Sequence, residues 1–171
     1  MLKKPMPTQA ELKKRFSYDS LVGRLVYLEA PSRNQPQRVG TFAGSKHCEG
    51  GWSVSYRGKC YLHCRLVWVW YYGQDPGDNE IDHIDGDRSN DRIENLRLAT
   101  RAQQQWNIGV TKKNSSGMKG VSFYKRLGLW RADIRVEGRQ KNLGYFKNKA
   151  DAAAAYKSAA LALHGEFTRL K

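Results

Sequence analysis

The segment Ile81-Asp82-His83-Ile84-Asp85-Gly86-Asp87-Arg88-Ser89-Asn90-Asp91-Arg92-Ile93-Glu94-Asn95-Leu96-Arg97 constrains this chain more than any other. An apolar residue leads into an acid and a histidine side by side, a polar loop follows, and Asn95 closes the segment ahead of an expected short helix. Neighbours on an extended strand point to opposite faces, so Asp82 and His83 converge on one point only if the strand bends or ends there. Asp85-Gly86 supplies such an end. Asp85, Asp87, Asn90 and Asp91 read as loop-shaping residues that bond side chain to backbone.

The Asp-His pair suits hydrolysis of a phosphodiester. That reaction needs a base for water, a cation for the developing charge and a scaffold that fixes both. An imidazole titrates near neutrality, so His83 is available to take a proton. Asp82 is a hard oxygen donor of the kind Mg²⁺ accepts, and that ion keeps several waters and few protein ligands.

Ile81-Asp82-His83-Ile84-Asp85-Gly86-Asp87, Asn90, Asn95-Leu96-Arg97 and Ala99-Thr100-Arg101 together resemble the HNH nucleases, the ββα-metal group, in particular those of phages and mobile introns. The resemblance implies that Asp82 binds the metal, that His83 activates water and that Asn95 holds the His-bearing loop. The third family position, usually His or Asn, falls nine residues after Asn95, on Gln104. A Gln carbonyl can ligate a hard cation, but its extra methylene moves the oxygen. Asn107, one helical turn on and on nearly the same face, is the other candidate ligand. The implied cofactor is Mg²⁺, or another divalent cation such as Mn²⁺. In the family the strand before the site commonly ends in His-Arg-Leu, whereas this chain has Cys64-Arg65-Leu66 with a histidine one place earlier. His63 is therefore left out of the catalytic set.

The net charge of +14 points to a polyanion as partner, with nucleic acid first. A ribosomal RNA-binding factor would share that charge, but not the combination of Asp82, His83 and Asn95. No apolar run is long enough for a bilayer, and the basic Met1-Leu2-Lys3-Lys4-Pro5 start is followed by no apolar stretch of signal-peptide type. Cys48, Cys60 and Cys64 are an odd number with spacing poor for zinc, so reduced and buried thiols in a cytoplasmic protein are expected.

The 171 residues fit one ordinary domain or two small ones, and two are expected. Residues 1–17 form a basic N-terminal segment with a short helix around Gln9 to Phe16; it reads equally as a solvated face or as an arm touching phosphates. Residues 18–108 form the nuclease domain. There, short alternating runs around Leu21–Tyr27, Val39–Phe42, Trp52–Tyr56 and Cys60–His63 predict a small antiparallel sheet. Leu66 to Tyr72 is apolar nearly all round and predicts a buried helix stopped by Gly73, and Thr100 predicts the cap of a helix through Trp106. Residues 109–117 read as a flexible basic linker.

Residues 118–171 are a coherent second unit. Trp130-Arg131-Ala132-Asp133-Ile134-Arg135-Val136 alternates cleanly, which puts Trp130, Ala132, Ile134 and Val136 on a core face and Arg131, Asp133 and Arg135 on the other. An alanine-rich helix from Asn148 to His164 predicts the cover for that core. Residues 111–171 hold 14 Lys and Arg against 4 acids, a net +10, so this half is the electrostatic anchor. Gly120-Val121, Trp130 to Arg135, Leu143-Gly144-Tyr145-Phe146, and Ala152-Ala153 to Tyr156 with Ala159-Ala160 resemble an AP2/ERF-type DNA-binding domain, a three-stranded sheet lying in the major groove with a helix behind. By that resemblance Lys119, Ser122, Tyr124, Arg126, Arg131, Asp133, Arg135 and Lys141 are the DNA-contact candidates. Ser122 and Tyr124 stand where plant members have Arg, so the plant target sequence does not transfer.

The expected fold class is α+β: a small antiparallel sheet with a ββα-metal nuclease module, linked to a three-stranded antiparallel sheet packed on one helix. The expected function is metal-dependent cutting of double-stranded DNA, of the homing type, at a site positioned by the C-terminal domain. The alternative, prompted by Gln104, is a DNA-binding regulator whose nuclease half has weakened. Neither a membrane nor a small-molecule substrate is expected; a monomer is, with an oligomer left open, in the cytoplasm of a bacterial host if the chain is phage-encoded.

Overall fold

A computed structural model describes residues 5–47, 50–110, 114–136 and 138–170. Cys48, Lys3 and Lys4, the Thr111-Lys112-Lys113 part of the expected linker, and Glu137 lie outside them. The architecture is mixed, with small antiparallel sheets and four helices among the described residues. None of these helices is long and apolar enough to cross a membrane. Contacts divide the chain into two compact units, Met1–Ala99 and Thr100–Lys171.

In the first unit, helix α1 (Gln9–Arg15) opens on a capping box in which Thr8 and Glu11 satisfy each other's backbone N–H groups. Leu12 and the following Phe16 are buried in the core while Lys13 and Lys14 are exposed, so the N-terminal stretch is anchored on its apolar side and carries a solvated basic face on the other. It packs on helix α2 (His63–Tyr72), and the Gln9 amide donates to the last carbonyls of that helix, those of Trp70 and Tyr71. Helix α2 ends at Gly73 in the left-handed region, as the sequence predicts, but begins three residues before the expected Leu66.

Strands β1 (Phe16–Asp19) and β2 (Arg24–Tyr27) form one hairpin; β3 (Ser45–Lys46), β4 (Trp52–Tyr56) and β5 (Lys59–Leu62) form a three-stranded sheet; β6 (Glu80–His83) pairs with β7 (Leu96–Ala99). The runs expected in a single sheet thus fall in two small ones, with β6–β7 a separate pair. The run Val39–Phe42 contributes only a bridge from Val26 to Phe42, because Pro36 starts a 3₁₀ turn through Arg38 just before it. After Asn95 the chain enters strand β7, so the helix expected there is replaced by a 3₁₀ turn, Ile93–Asn95, placed before the strand. Of the thiols, Cys64 is buried, whereas Cys60 is exposed against expectation, on a strand position whose alternate neighbour Tyr61 faces the core.

The second unit begins with helix α3 (Arg101–Asn107), capped by Thr100 and Gln103. It groups with this unit and not with the residues before the expected linker. The Trp106 ring stacks on His164 at 4.3 Å, and the Lys119 ammonium donates to the carbonyls of Trp106 and Ile108 at 2.5 and 2.6 Å. Strands β8 (Val121–Tyr124), β9 (Leu129–Val136) and β10 (Arg139–Phe146) form an antiparallel sheet with β9 central. Helix α4 (Lys149–His164) covers one face, burying Ala152, Tyr156, Ala160 and His164 at four-residue spacing.

Alanine there lets the helix approach closely, and Gly120 shows how closely. A Cβ on Gly120 would lie 2.1 Å from the Tyr156 ring, at φ +70°. Gly120→Ala is therefore expected to destabilise the second unit by about 3 kcal/mol, combining an unfavourable backbone with overpacking. Thermal unfolding checks this; an unchanged midpoint would contradict the packing described.

Candidate active site and nucleic-acid face

Strand pairing sets the directions of the two central side chains. Asp82 lies opposite Arg97 and His83 opposite Leu96 in the β6–β7 register. Directly opposed residues share a face, so Arg97 meets Asp82: its Nε and Nη2 both lie 2.9 Å from Asp82 Oδ2, with both side chains largely buried. The next residue, His83, turns to the other face, so the side chains of Asp82 and His83, expected to converge, point to opposite sides of the strand and meet different partners. His83 Nε2 lies 2.7 Å from Asp91 Oδ1, and the second oxygen of Asp91 lies 2.5 Å from His63 Nδ1. His63 Nε2 in turn accepts the backbone N–H of Leu25 at 3.0 Å.

This chain of bonds fixes protons. Since Nε2 of His63 accepts, its Nδ1 carries the hydrogen given to Asp91. An ionised carboxylate only accepts, so His83 donates from Nε2 and its basic lone pair resides on Nδ1. Burial alone would push the Asp91 carboxyl up, but hydrogen bonds from His63 and His83 outweigh it and hold the group below the usual carboxylate range. Asp91 is thus a buried, charged acceptor between two imidazoles, not the loop-shaping residue read from the sequence. Asp85 and Asp87 do shape the loop, accepting from the backbone of Asp87 and Ser89, and Asn90 donates its side-chain amide to Asp85.

Asn95 closes the same loop. Its side chain accepts from the N–H of Asp85 and donates to Asp85 Oδ1 and the Asn90 carbonyl, while its own carbonyl accepts from Ile84. Tyr18 joins from the hairpin, donating to the Asp91 carbonyl and accepting from the N–H of Ile93. His63, Asp91, Arg97 and Tyr18 were not among the expected site residues. Arg97 stood in the matched motif without an assigned role, and the signal at His63 was concealed by its one-place shift from the family pattern.

Cys64 stands beside this network. A thiol sulfur, a ring nitrogen of His83 and an oxygen of Asp91 lie within 4.8 Å of one another, all on buried residues. Burial, with the charge of Asp91 adding to it, pushes the Cys64 thiol up to about 12. Gln104 is half-buried and Asn107 buried on α3, within the second unit.

In the second unit the sheet face away from α4 carries Ser122 and Arg131 opposite each other, then Tyr145 opposite Arg131 on the far strand. The Tyr124 and Tyr145 rings lie 5.5 Å apart, with the Arg131 guanidinium 5.6 Å from the Tyr124 ring. Asp133 lies 2.7 Å from Arg131 Nε, an ion pair whose N–H is not aimed at the carboxylate, and accepts from Asn142 at 3.1 Å. Arg135 on this strand and Arg126 in the preceding turn are exposed. Two expected contacts sit elsewhere. Lys119 is engaged by the carbonyls at the end of α3, which take its ammonium. Lys141 lies opposite Ile134, so its register belongs to the α4 side, where it is exposed at an edge strand. Tyr145 and Asn142 take their place on the outward face, as their pairing with Arg131 and Asp133 requires.

A family model described as HNH endonuclease matches residues 60–105, from β5 through most of α3. The chain is 37% identical over 105 residues to Protein 3.8 of Escherichia phage T7, covering 61% of this chain and 86% of that protein. It is 33% identical over 120 residues to an uncharacterized HNH endonuclease, L560, of Acanthamoeba polyphaga mimivirus, covering 70% of this chain and 62% of that one. No solved structure matches. The matched segment contains the buried Asp91 bridge, the Asp82–Arg97 pair and the Asn95 loop together, so the chain carries an HNH endonuclease domain and is a DNA endonuclease.

Proposed function

We propose that the chain is a homing-type endonuclease in which His83 is the general base for water, Asn95 fixes the loop that carries it, and the C-terminal sheet positions the duplex. The observation that carries this reading is the hydrogen bond from His83 to buried Asp91. A carboxylate behind an imidazole fixes its tautomer and stabilises the imidazolium formed when it takes a proton. Water attacks phosphorus, its proton passes to His83 Nδ1, and the bond from phosphorus to the leaving oxygen breaks.

The family generally uses a divalent ion, which supplies charge stabilisation at the phosphate and the leaving oxygen when bound. Asp82, a hard carboxylate, would be the family-position ligand for Mg²⁺ or Mn²⁺; it is oriented by Arg97, on the strand face opposite His83. By family position Gln104, or in its place Asn107 one helical turn on, would offer a further amide oxygen. The cluster of Cys64, His83 and Asp91 fits such an ion less well, since sulfur is a soft donor for a hard cation and both Asp91 oxygens already accept from histidines.

For the C-terminal unit, an AP2/ERF-like role is supported by the outward row of Arg131, Tyr145 and Ser122 with Tyr124 and Arg135 beside it. Arginine on a sheet face can bond two acceptors of guanine in the major groove, and phosphate contacts from this strongly basic half would set affinity. The phage relative accords with action in a bacterial host's cytoplasm. The test is incubation of the protein with phage and host DNA and Mg²⁺, with mapping of the ends. Absence of metal-dependent cutting would overturn the reading.

Gln104 motivates the second reading, a DNA-binding regulator with a weakened nuclease. If Gln104 is a compromised ligand, Gln104→Asn is expected to raise the cutting rate about tenfold or more, given how little Mg²⁺ geometry yields. An unchanged or lower rate would show that Gln104 serves as it stands.

A further inference from the structure

The turn between β1 and β2 carries two consecutive apolar residues at its tip, Leu21 and Val22. Leu21 is 80% exposed, the most exposed of the large hydrophobic residues described, and Val22 is 47% exposed. Single exposed leucines are ordinary, and tight turns favour Gly, Asn, Asp and Ser, so a Leu-Val tip is neither a packing residue nor a turn former. The turn that holds it is nevertheless firmly built. Asp19 Oδ1 accepts the backbone N–H groups of Leu21 and Val22 at 2.9 and 3.2 Å, and its carbonyl accepts that of Gly23 at 2.8 Å.

The tip is also fixed to the candidate active site. Arg92 Nε donates to the Leu21 carbonyl at 2.7 Å. Gly23, at φ +73°, presses on the same loop so closely that a Cβ would lie 2.4 Å from Arg92 N and 2.7 Å from Asp91 C. Arg92 is exposed, placing a cation directly under the apolar tip, and Asp91 is the residue that holds His83.

We infer that Leu21, supported by Val22, is a wedge that inserts between base pairs of duplex DNA beside the phosphate to be cut, while Arg92 holds the adjacent backbone. This rests on the reading of the chain as a DNA endonuclease. The occupant is set by place and local charge: an apolar point over an exposed arginine, on a hydrogen-bonded turn joined to the nuclease loop. Leucine side chains that enter a base step unstack it and kink the duplex, and a bend there would open the phosphate to the base. Leu21 makes no claim on the chemistry itself; it deforms the substrate.

The test is binding in EDTA, where no hydrolysis occurs, to a fully paired duplex and to the same duplex with a central T·T mismatch. A mismatch lowers the cost of unstacking, so a wedge prefers it. The wild-type protein is expected to bind the mismatched duplex about tenfold tighter. Leu21→Ala should bind both alike, and Leu21→Phe should keep the preference. Equal binding of both duplexes by the wild type, or a preference that survives Leu21→Ala, overturns the inference. The side chain is exposed, so unfolding midpoints of the variants should match the parent. Cutting in Mg²⁺ is a separate measurement: a protein that discriminates in EDTA yet never cuts refutes the nuclease reading and leaves the wedge standing, and the reverse result does the opposite.

Discussion

Replacing His83 by alanine is expected to slow DNA cutting by about 10² to 10⁴-fold, the usual contribution of a positioned general base. Affinity for uncut DNA in EDTA should change little, since phosphate contacts elsewhere supply most of the binding. The measurement is conversion of supercoiled to nicked or linear DNA by wild type and variant at equal folded concentration. Cutting at the parental rate would remove His83 from the mechanism, and the Asp91 bridge would then be purely architectural. Removal of His83 also leaves an Asp91 oxygen without its hydrogen bond, so thermal unfolding must accompany the kinetics.

Asp91 should have the larger effect on the fold. Asp91→Ala leaves the N–H groups of two buried imidazoles without their acceptor, at an expected cost of about 3 kcal/mol. For a unit of this size that is a fall of ~10 to 20 °C in the unfolding midpoint. Asp91→Asn keeps the shape but presents an amide where both histidines need an acceptor. One ring must reverse its tautomer, and cutting is expected to fall by about 10²-fold or more.

The charge on Asp91 gives a further check through pH. Its carboxyl is held below the ordinary value by the two histidines, so the ionised form favours the folded state. That contribution is fully present above the unfolded-state value of about 4 and is lost as pH falls through the lower folded value. The midpoints of wild type and Asp91→Asn should therefore converge as the solution is acidified from neutrality to below about 4. A gap that stays constant across this range would mean that the charge contributes nothing.

Periodicity and capping signals made much of the fold legible. Gly73 marked the end of α2, Thr100 the start of α3, and the alternation from Trp130 to Val136 assigned both faces of the C-terminal sheet. Local patterns failed where a distant partner decides. The i, i+4 spacing of Leu12 and Phe16 marks an apolar side on the N-terminal helix, but nothing local announces that α2 is what covers it. Asp91 stands among loop-forming acids and differs from Asp85 and Asp87 only in facing inward, onto a histidine 28 residues earlier. The Asp82–Arg97 pair follows from the β6–β7 register, which became available only when the residues after Asn95 proved to be a strand. Lys119 read as one more cation on a basic face, yet its amine meets carbonyls 11 and 13 residues back.

That last contact bears on how proteins of this kind can be recombined. Helix α3 precedes the polar stretch 109–117, where a joint between modules would naturally be drawn, but the indole of Trp106 and the carbonyls at its end are gripped by His164 and Lys119 from beyond that stretch. A graft joined at the polar stretch would part the helix from its grip, whereas one joined just ahead of Thr100 carries both. Exchange of one C-terminal sheet for another therefore transplants a helix of the nuclease motif along with it.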